Sequence, residues 1–150
     1  MAKNEWSMAQ LTAKAEAYCA AAEHCISEIR SKLQQWEATD EQCDEIITHL
    51  LHANYIDEQR YCHAFSHDKV LYQGWGRAKI RANLYAKHLP SEAITQALKD
   101  IDETEYRKTL ERVISSKRRT LKTTDIAARE KLLRFCMQRG FTYEEISEYL

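Results

Sequence analysis

Three stretches of this chain lie over one another without a gap, and that register constrains the fold more than any other feature. They run from Ile29 to Ile47, from Ile80 to Leu98 and from Leu132 to Leu150, at offsets of 51 and then 52 residues. Ile29, Ile80 and Leu132 coincide. So do Leu33, Leu84 and Cys136, then Ala38, Leu89 and Phe141, and finally Ile47, Leu98 and Leu150. The next position holds Thr39, Pro90 and Thr142. Thr39 with Gln42, and Thr142 with Glu145, have the spacing of a capping box. Pro90 is tolerated only near a helix start, because it has no amide to donate. Each copy therefore predicts a helix of about four turns, a tight turn and a second helix of about three turns.

A further helix is expected before each pair. Leu11 to Cys25 is rich in alanine, the strongest helix former. Asp57 to Leu71 places Tyr61, Ala64, Phe65 and Val70 on one side at helical spacing. Tyr106 to Leu121 does the same with Leu110, Val113, Ile114 and Leu121. One such unit cannot cover its own apolar face, and stacked units cover each other. With only three glycines and one proline, the chain also lacks the turn residues an all-β fold of this size needs. The expected class is all-α: three tandem three-helix repeats, spanning residues 1–54, 55–101 and 102–150.

The chain has no apolar run long enough to span a membrane, and its polar start, with Lys3, Glu5 and Gln10, does not read as a signal peptide. Its five cysteines form no CxxC pair, and four lie in helical segments. They read as buried thiols of a reducing compartment, which points to the cytoplasm. Cys62, His63 and His67 are close in sequence. However, a structural zinc site wants a second ligand pair at matching spacing, so no metal ligand is assigned.

Catalysis finds no support. The cluster Asp40, Glu41, Asp44 and Glu45 suits the N-terminus of the helix that starts at Thr39 better than acid–base work. Cys62 and His63 are neighbours on a helix and point to different sides, so they form no dyad. No catalytic residue and no cofactor is expected.

The net charge of −1 hides an asymmetry. Residues 1–67 carry −6, residues 68–139 carry +8 and residues 140–150 carry −3. The basic middle suggests an anionic partner, either nucleic acid or an acidic protein surface. Solvated helix faces account for the same charge equally well.

Gly74-Trp75-Gly76 is the most irregular spot. Gly74 can end a helix in the left-handed conformation, Gly76 can let two backbones approach, and Trp75 offers a large area to bury between units. The pair could alternatively cradle a phosphate at the helix start, beside Arg77, Lys79 and Arg81. No G-x-x-x-x-G-K-[ST] accompanies it, so a structural elbow is the favoured reading.

Several blocks resemble the RecX family, regulators of the bacterial recombinase RecA. These are Tyr55-Ile56-Asp57-Glu58 with Arg60-Tyr61, and Gly74-Trp75-Gly76-Arg77 running into Ile80-Arg81 and Leu84. The last block is Leu133-Arg134-Phe135, then Arg139-Gly140-Phe141 and Thr142 to Ile146. The likeness covers about Ala17 to Leu150, and its specificity lies in the order and spacing of the blocks. It implies tandem three-helix repeats in an elongated, curved molecule that binds the RecA filament on DNA and restrains ATP hydrolysis and strand exchange. The chain departs from the family pattern at Glu58, where Asp is common, and at His88, where many members have glycine.

If binding is the function, its candidates are the basic residues Arg77, Lys79, Arg81, Lys117, Arg118, Arg119, Lys122, Lys131, Arg134 and Arg139. They would meet a recombinase filament and some of the DNA backbone, whose phosphate contacts weaken with salt. A monomer is expected. No recognition-helix signature is present, so sequence-specific reading of DNA is not expected.

Overall fold

A left-handed residue closes the first helix of each repeated pair, at the equivalent place in all three copies. The computed structural model describes residues 6–150 of the chain; Lys3 and Glu5 of the polar start lie outside the described residues. Helices α1 (Met8–Ala21), α2 (Ile26–Gln35) and α3 (Asp40–His52) come first. Next are α4 (Glu58–Gln73), α5 (Arg77–Ala86) and α6 (Ser91–Lys99), then α7 (Glu103–Arg118), α8 (Ile126–Gln138) and α9 (Tyr143–Ser147). No strand occurs among the described residues.

Glu37, His88 and Gly140, the positions that the 51- and 52-residue offsets superpose, have φ of 62°, 64° and 100°. Each ends its helix with the same two hydrogen bonds. Ala38, Leu89 and Phe141 N–H donate back to the carbonyls of Leu33, Leu84 and Cys136 at 3.0, 3.2 and 3.2 Å. Glu37, His88 and Gly140 N–H donate to Gln34, Tyr85 and Met137 at 2.9, 3.0 and 3.0 Å. This is the Schellman ending, and it forces the chain to reverse at one residue. Thr39 and Thr142 then cap the next helices with both halves of the expected capping box, and Pro90 is the N-cap of α6.

Only the third copy has glycine at the left-handed position. His88 is exposed there and carries the cost of that conformation, roughly 1 kcal/mol for a residue with a Cβ. His88→Gly should therefore stabilise the protein and raise the melting temperature by about 2–4 °C. Differential scanning calorimetry on both proteins checks this; an unchanged or lower value means the turn gains from the histidine elsewhere.

The helices depart from the expected lengths in identifiable ways. The alanine-rich helix ends at Ala21, four residues short of Cys25, which instead caps α2 with extended φ/ψ. α2 and α5 have 10 residues and α8 has 13, while α3, α6 and α9 shrink from 13 to 9 to 5. The leading helix of the third unit starts at Glu103, capped by the Asp102 side chain, and stops at Arg118, so Leu121 lies in the loop beyond it.

The buried side chains form two cores. α1–α3 enclose Leu11, Ala15, Ile29, Leu33, Cys43, Ile46 and Leu50. α4–α9 share a second, larger core, in which Ile80, Leu84 and Ile94 of the middle unit pack with Tyr106, Leu110, Ile114, Leu132 and Ile146 of the last. Among the described residues, Cys25 is the one buried residue of the first unit in that larger core. The apolar interior is thus drawn out along the stack.

Polar contacts dominate the joint between the two parts. Ser27 Oγ donates to the Lys87 carbonyl at 2.8 Å, Lys87 Nζ lies 3.1 Å from Glu28, and Ile26 N–H donates to Glu58 at 3.3 Å. Arg60 pairs with Glu23. Burial alone would raise the Glu28 carboxyl, but Lys87, the Cys25 N–H and His24 outweigh it and hold the pKa below the usual value. All five cysteines are buried and unbridged. Burial pushes the Cys62 and Cys136 thiols up to about 11, so they are poor nucleophiles at neutral pH.

Candidate interaction surface

The Gly74-Trp75-Gly76 segment is an elbow pressed against the last turn of the third unit. Gly74 takes φ 67° and ends α4. Gly76 N–H donates to the Arg139 carbonyl at 2.7 Å and Ala78 N–H to the Gly140 carbonyl at 3.1 Å. Arg77 N–H donates to the Tyr106 hydroxyl at 3.0 Å. The Gly76, Arg77 and Ala78 amides are therefore taken by protein acceptors, which disfavours the phosphate-cradle reading. A Cβ on Gly76 would stand 2.5 Å from the Phe141 nitrogen and closer still to the Gly140 carbonyl.

Arg77 is held inside this joint. Its guanidinium lies 4.1 Å from the Tyr106 ring centroid, 2.9 Å from Glu103 and 3.7 Å from Glu145, and it donates to the Leu98 carbonyl at 3.2 Å. Those contacts tie α5 to the end of α6, to α7 and to α9. Arg81, one turn further along α5, is exposed.

The remaining basic residues gather with aromatic rings. Trp75 is half-buried, meets Phe65 edge-on at 6.2 Å, and has Lys69 and Lys79 ammonium groups 4.7 and 4.4 Å from its centroid. Phe135 has Lys117 and Arg139 each 4.9 Å from its centroid. Arg139 also donates to the Gln73 carbonyl at 2.7 Å, and Arg112 to the Leu71 carbonyl at 2.9 Å, which stitches α7 and α8 to the end of α4. Between them lies a shallow depression of about 200 Å³ lined by Tyr72, Arg112, Phe135 and Arg139, with Tyr72 itself 75% exposed. Such cation–ring pairs are worth about 0.5–1 kcal/mol at exposed sites. They also hold positive charge at fixed positions beside π-faces.

Further along α7 and α8 the charge continues. Arg118 donates to the Tyr149 carbonyl and borders a cleft with Lys122. Arg119, Lys131 and Arg134 are exposed. Of the ten candidates, Lys79 lies over Trp75, Lys117 and Arg139 over Phe135, and Arg118 and Lys122 border the cleft after α7, whereas Arg77 is committed internally. Lys69, Arg112 and Arg129 were not singled out from sequence. Lys69 is invisible there because its partner ring, Trp75, lies beyond the bend that Gly74 makes.

On another side, His63 Nε2 lies 2.7 Å from Asp100 and Nδ1 2.8 Å from the Gln59 carbonyl. Both ring nitrogens face acceptors, so the charged imidazolium is favoured and the His63 pKa lies above its ordinary value, mainly through Asp100. The Asp100 carboxyl is held below its usual value, mainly by His63. The histidine's contribution to stability is complete below pH 6.5 and is lost as pH rises through the raised pKa. The aspartate's is present above pH 3.8 and is lost as pH falls through its lowered pKa. Melting temperature should therefore fall from slightly acidic to slightly alkaline pH, and Asp100→Asn should flatten that fall. An NMR titration of His63 that gives the same midpoint in both proteins would refute the pairing.

A tandem stack of three-helix units defines a helical-repeat protein. Comparison with known proteins narrows the class. Residues 57–98 match the family model for the second three-helix domain of RecX, and residues 103–150 match the model for the third. The chain is 30% identical to the regulatory protein RecX of Chlorobaculum tepidum over 125 residues, 83% of this chain and 76% of the relative. It is 30% identical over 145 residues to that of Leptothrix cholodnii, covering 94% of this chain and 88% of the relative. The crystal structure of RecX from Lactobacillus salivarius superposes with a TM-score of 0.80 at 17% identity, covering 94% of this chain and 92% of that one. The chain belongs to the RecX family of regulatory proteins.

Among the described residues no helix is long and apolar enough to cross a membrane.

Proposed function

We propose that this chain regulates a RecA-type recombinase, binding its filament on DNA and restraining ATP hydrolysis and strand exchange. In this reading it acts in the cytoplasm as a monomer of three units, residues 1–54, 55–101 and 102–150, without chemistry or a cofactor of its own. Membership of the RecX family carries the reading. The cations held beside Trp75 and Phe135 support it, because the DNA phosphates of such a filament call for positive charge.

The test is the ATPase of a RecA filament on single-stranded DNA as the protein is added. The rate should fall at ratios below one protein per recombinase protomer. An ATPase untouched at saturating protein removes the proposal. Lys117→Ala with Arg119→Ala should weaken the inhibition about tenfold with little change in melting temperature, since such surface charges contribute at most about 1 kcal/mol. Full inhibition by that variant would put the contact elsewhere.

The cations over Trp75 and Phe135 favour a second reading, a nonspecific binder of single-stranded nucleic acid by stacking and phosphate contact. It predicts binding to bare oligothymidylate that falls steeply with salt. A binding curve flat in salt, or no binding at low salt, excludes it.

A further inference from the structure

The loop after α7 and the first turns of α8 enclose a cleft of about 490 Å³. Leu121, Leu132 and Leu150 form its apolar lining, and Arg118, Lys122 and Arg129 stand among them. No acidic side chain lines it. Lys122 and Arg129 form no ion pair with the described residues, and both are exposed. Arg118 is already tied to the Tyr149 carbonyl, which holds the chain end as one wall. Close by, Ile126 at the start of α8 is 75% exposed.

Two features decide what fits. The lining is aliphatic and offers no ring on which a base could stack, unlike the face around Trp75 and Phe135. A phosphate alone would leave the leucines wet. An apolar side chain would fill the leucine-lined space, where burial yields roughly 25 cal/mol per Å². The unpaired cations are then placed for carboxylates that flank that side chain.

We propose that this cleft seats an acidic segment of a partner protein that carries a bulky apolar anchor. The anchor enters between Leu121, Leu132 and Leu150, and flanking Asp or Glu carboxylates pair with Lys122 and Arg129. The apolar anchor supplies most of the affinity and the charges set orientation and association rate. The inference rests on the reading of this chain as a regulator that docks on another protein, and it names the chemistry of the docked segment.

The probe is a fluorescein-labelled peptide, Gly-Asp-Glu-Leu-Phe-Glu-Asp-Gly, read by fluorescence anisotropy against the full chain. A control peptide replaces Leu-Phe by Ser-Ser. The expected result is binding about tenfold tighter for the Leu-Phe peptide. Lys122→Glu with Arg129→Glu, both exposed positions, should weaken it by at least about tenfold while the circular dichroism spectrum is unchanged. Leu121→Ser, in the loop, should abolish the preference for Leu-Phe over Ser-Ser. Equal binding of the two peptides, or equal binding by the charge-reversed variant, overturns the proposal. So does displacement of the peptide by oligothymidylate from wild type and Leu121→Ser alike, which would make the cleft a phosphate site. The ATPase assay is the separate arm. Peptide binding without filament inhibition sinks the filament reading and leaves the cleft standing; inhibition with no peptide preference does the reverse.

Discussion

Gly76→Ala should cost about 3 kcal/mol of stability, although it adds one methyl group to a residue with ordinary φ. The reason is what lies opposite. The new carbon would stand 2.5 Å from the Phe141 nitrogen, with the Gly140 carbonyl nearer still, and backbone cannot rotate away as a side chain can. Relief requires the second and third units to part, which breaks the Gly76 and Ala78 hydrogen bonds to Arg139 and Gly140. Gly140→Ala meets the same wall from the other side, 2.5 Å from the Lys79 nitrogen, and adds the penalty of φ 100°. Urea titration followed by circular dichroism measures both. A midpoint within error of wild type for Gly76→Ala would show that the two turns are not in contact in solution.

Tyr106→Ala should cost about 3–5 kcal/mol, the range for emptying a large buried aromatic site. Tyr106 is 1% exposed and packs at 5.4 Å on Phe141 while its ring carries the Arg77 guanidinium. Its hydroxyl accepts from Arg77 N–H and faces Glu145 at 3.4 Å. Tyr106→Phe separates the two roles. It keeps the ring and strands a buried N–H, for a cost of about 1–3 kcal/mol. Equal losses for Phe and Ala would mean that the hydroxyl, not the packing, holds the units together.

The tandem fold was legible because its signal is periodic. The gapless register placed a tight turn before Thr39, Pro90 and Thr142 in each copy, and these three residues cap helices as their chemistry requires. Helix ends were less legible. α1 stops at Ala21 because Cys25 is drawn into the core of the other two units, a long-range demand that alanine propensity does not register. The interaction surface was legible only as a list of charges. Arg77 and Arg81 share a helix and a spacing, yet one is bound by Glu103, Glu145 and Tyr106 and the other is free of ion pairs among the described residues. What separates them is the neighbouring unit, which lies 26 or more residues away in the chain.

Two cores joined by ionic and hydrogen-bonded contacts make two cooperative units of unequal strength. The salt-sensitive bonds of Glu28, Lys87, Arg60 and Glu23 hold the smaller one to the larger, and few shared apolar contacts oblige them to melt together. Heating this chain should then trace two overlapping transitions, with the gap between them widening as salt rises. Substitutions at His88, Tyr106 and Gly76 would move only the transition of α4–α9. Amide exchange in α1–α3 would proceed through openings that leave the rest of the molecule closed.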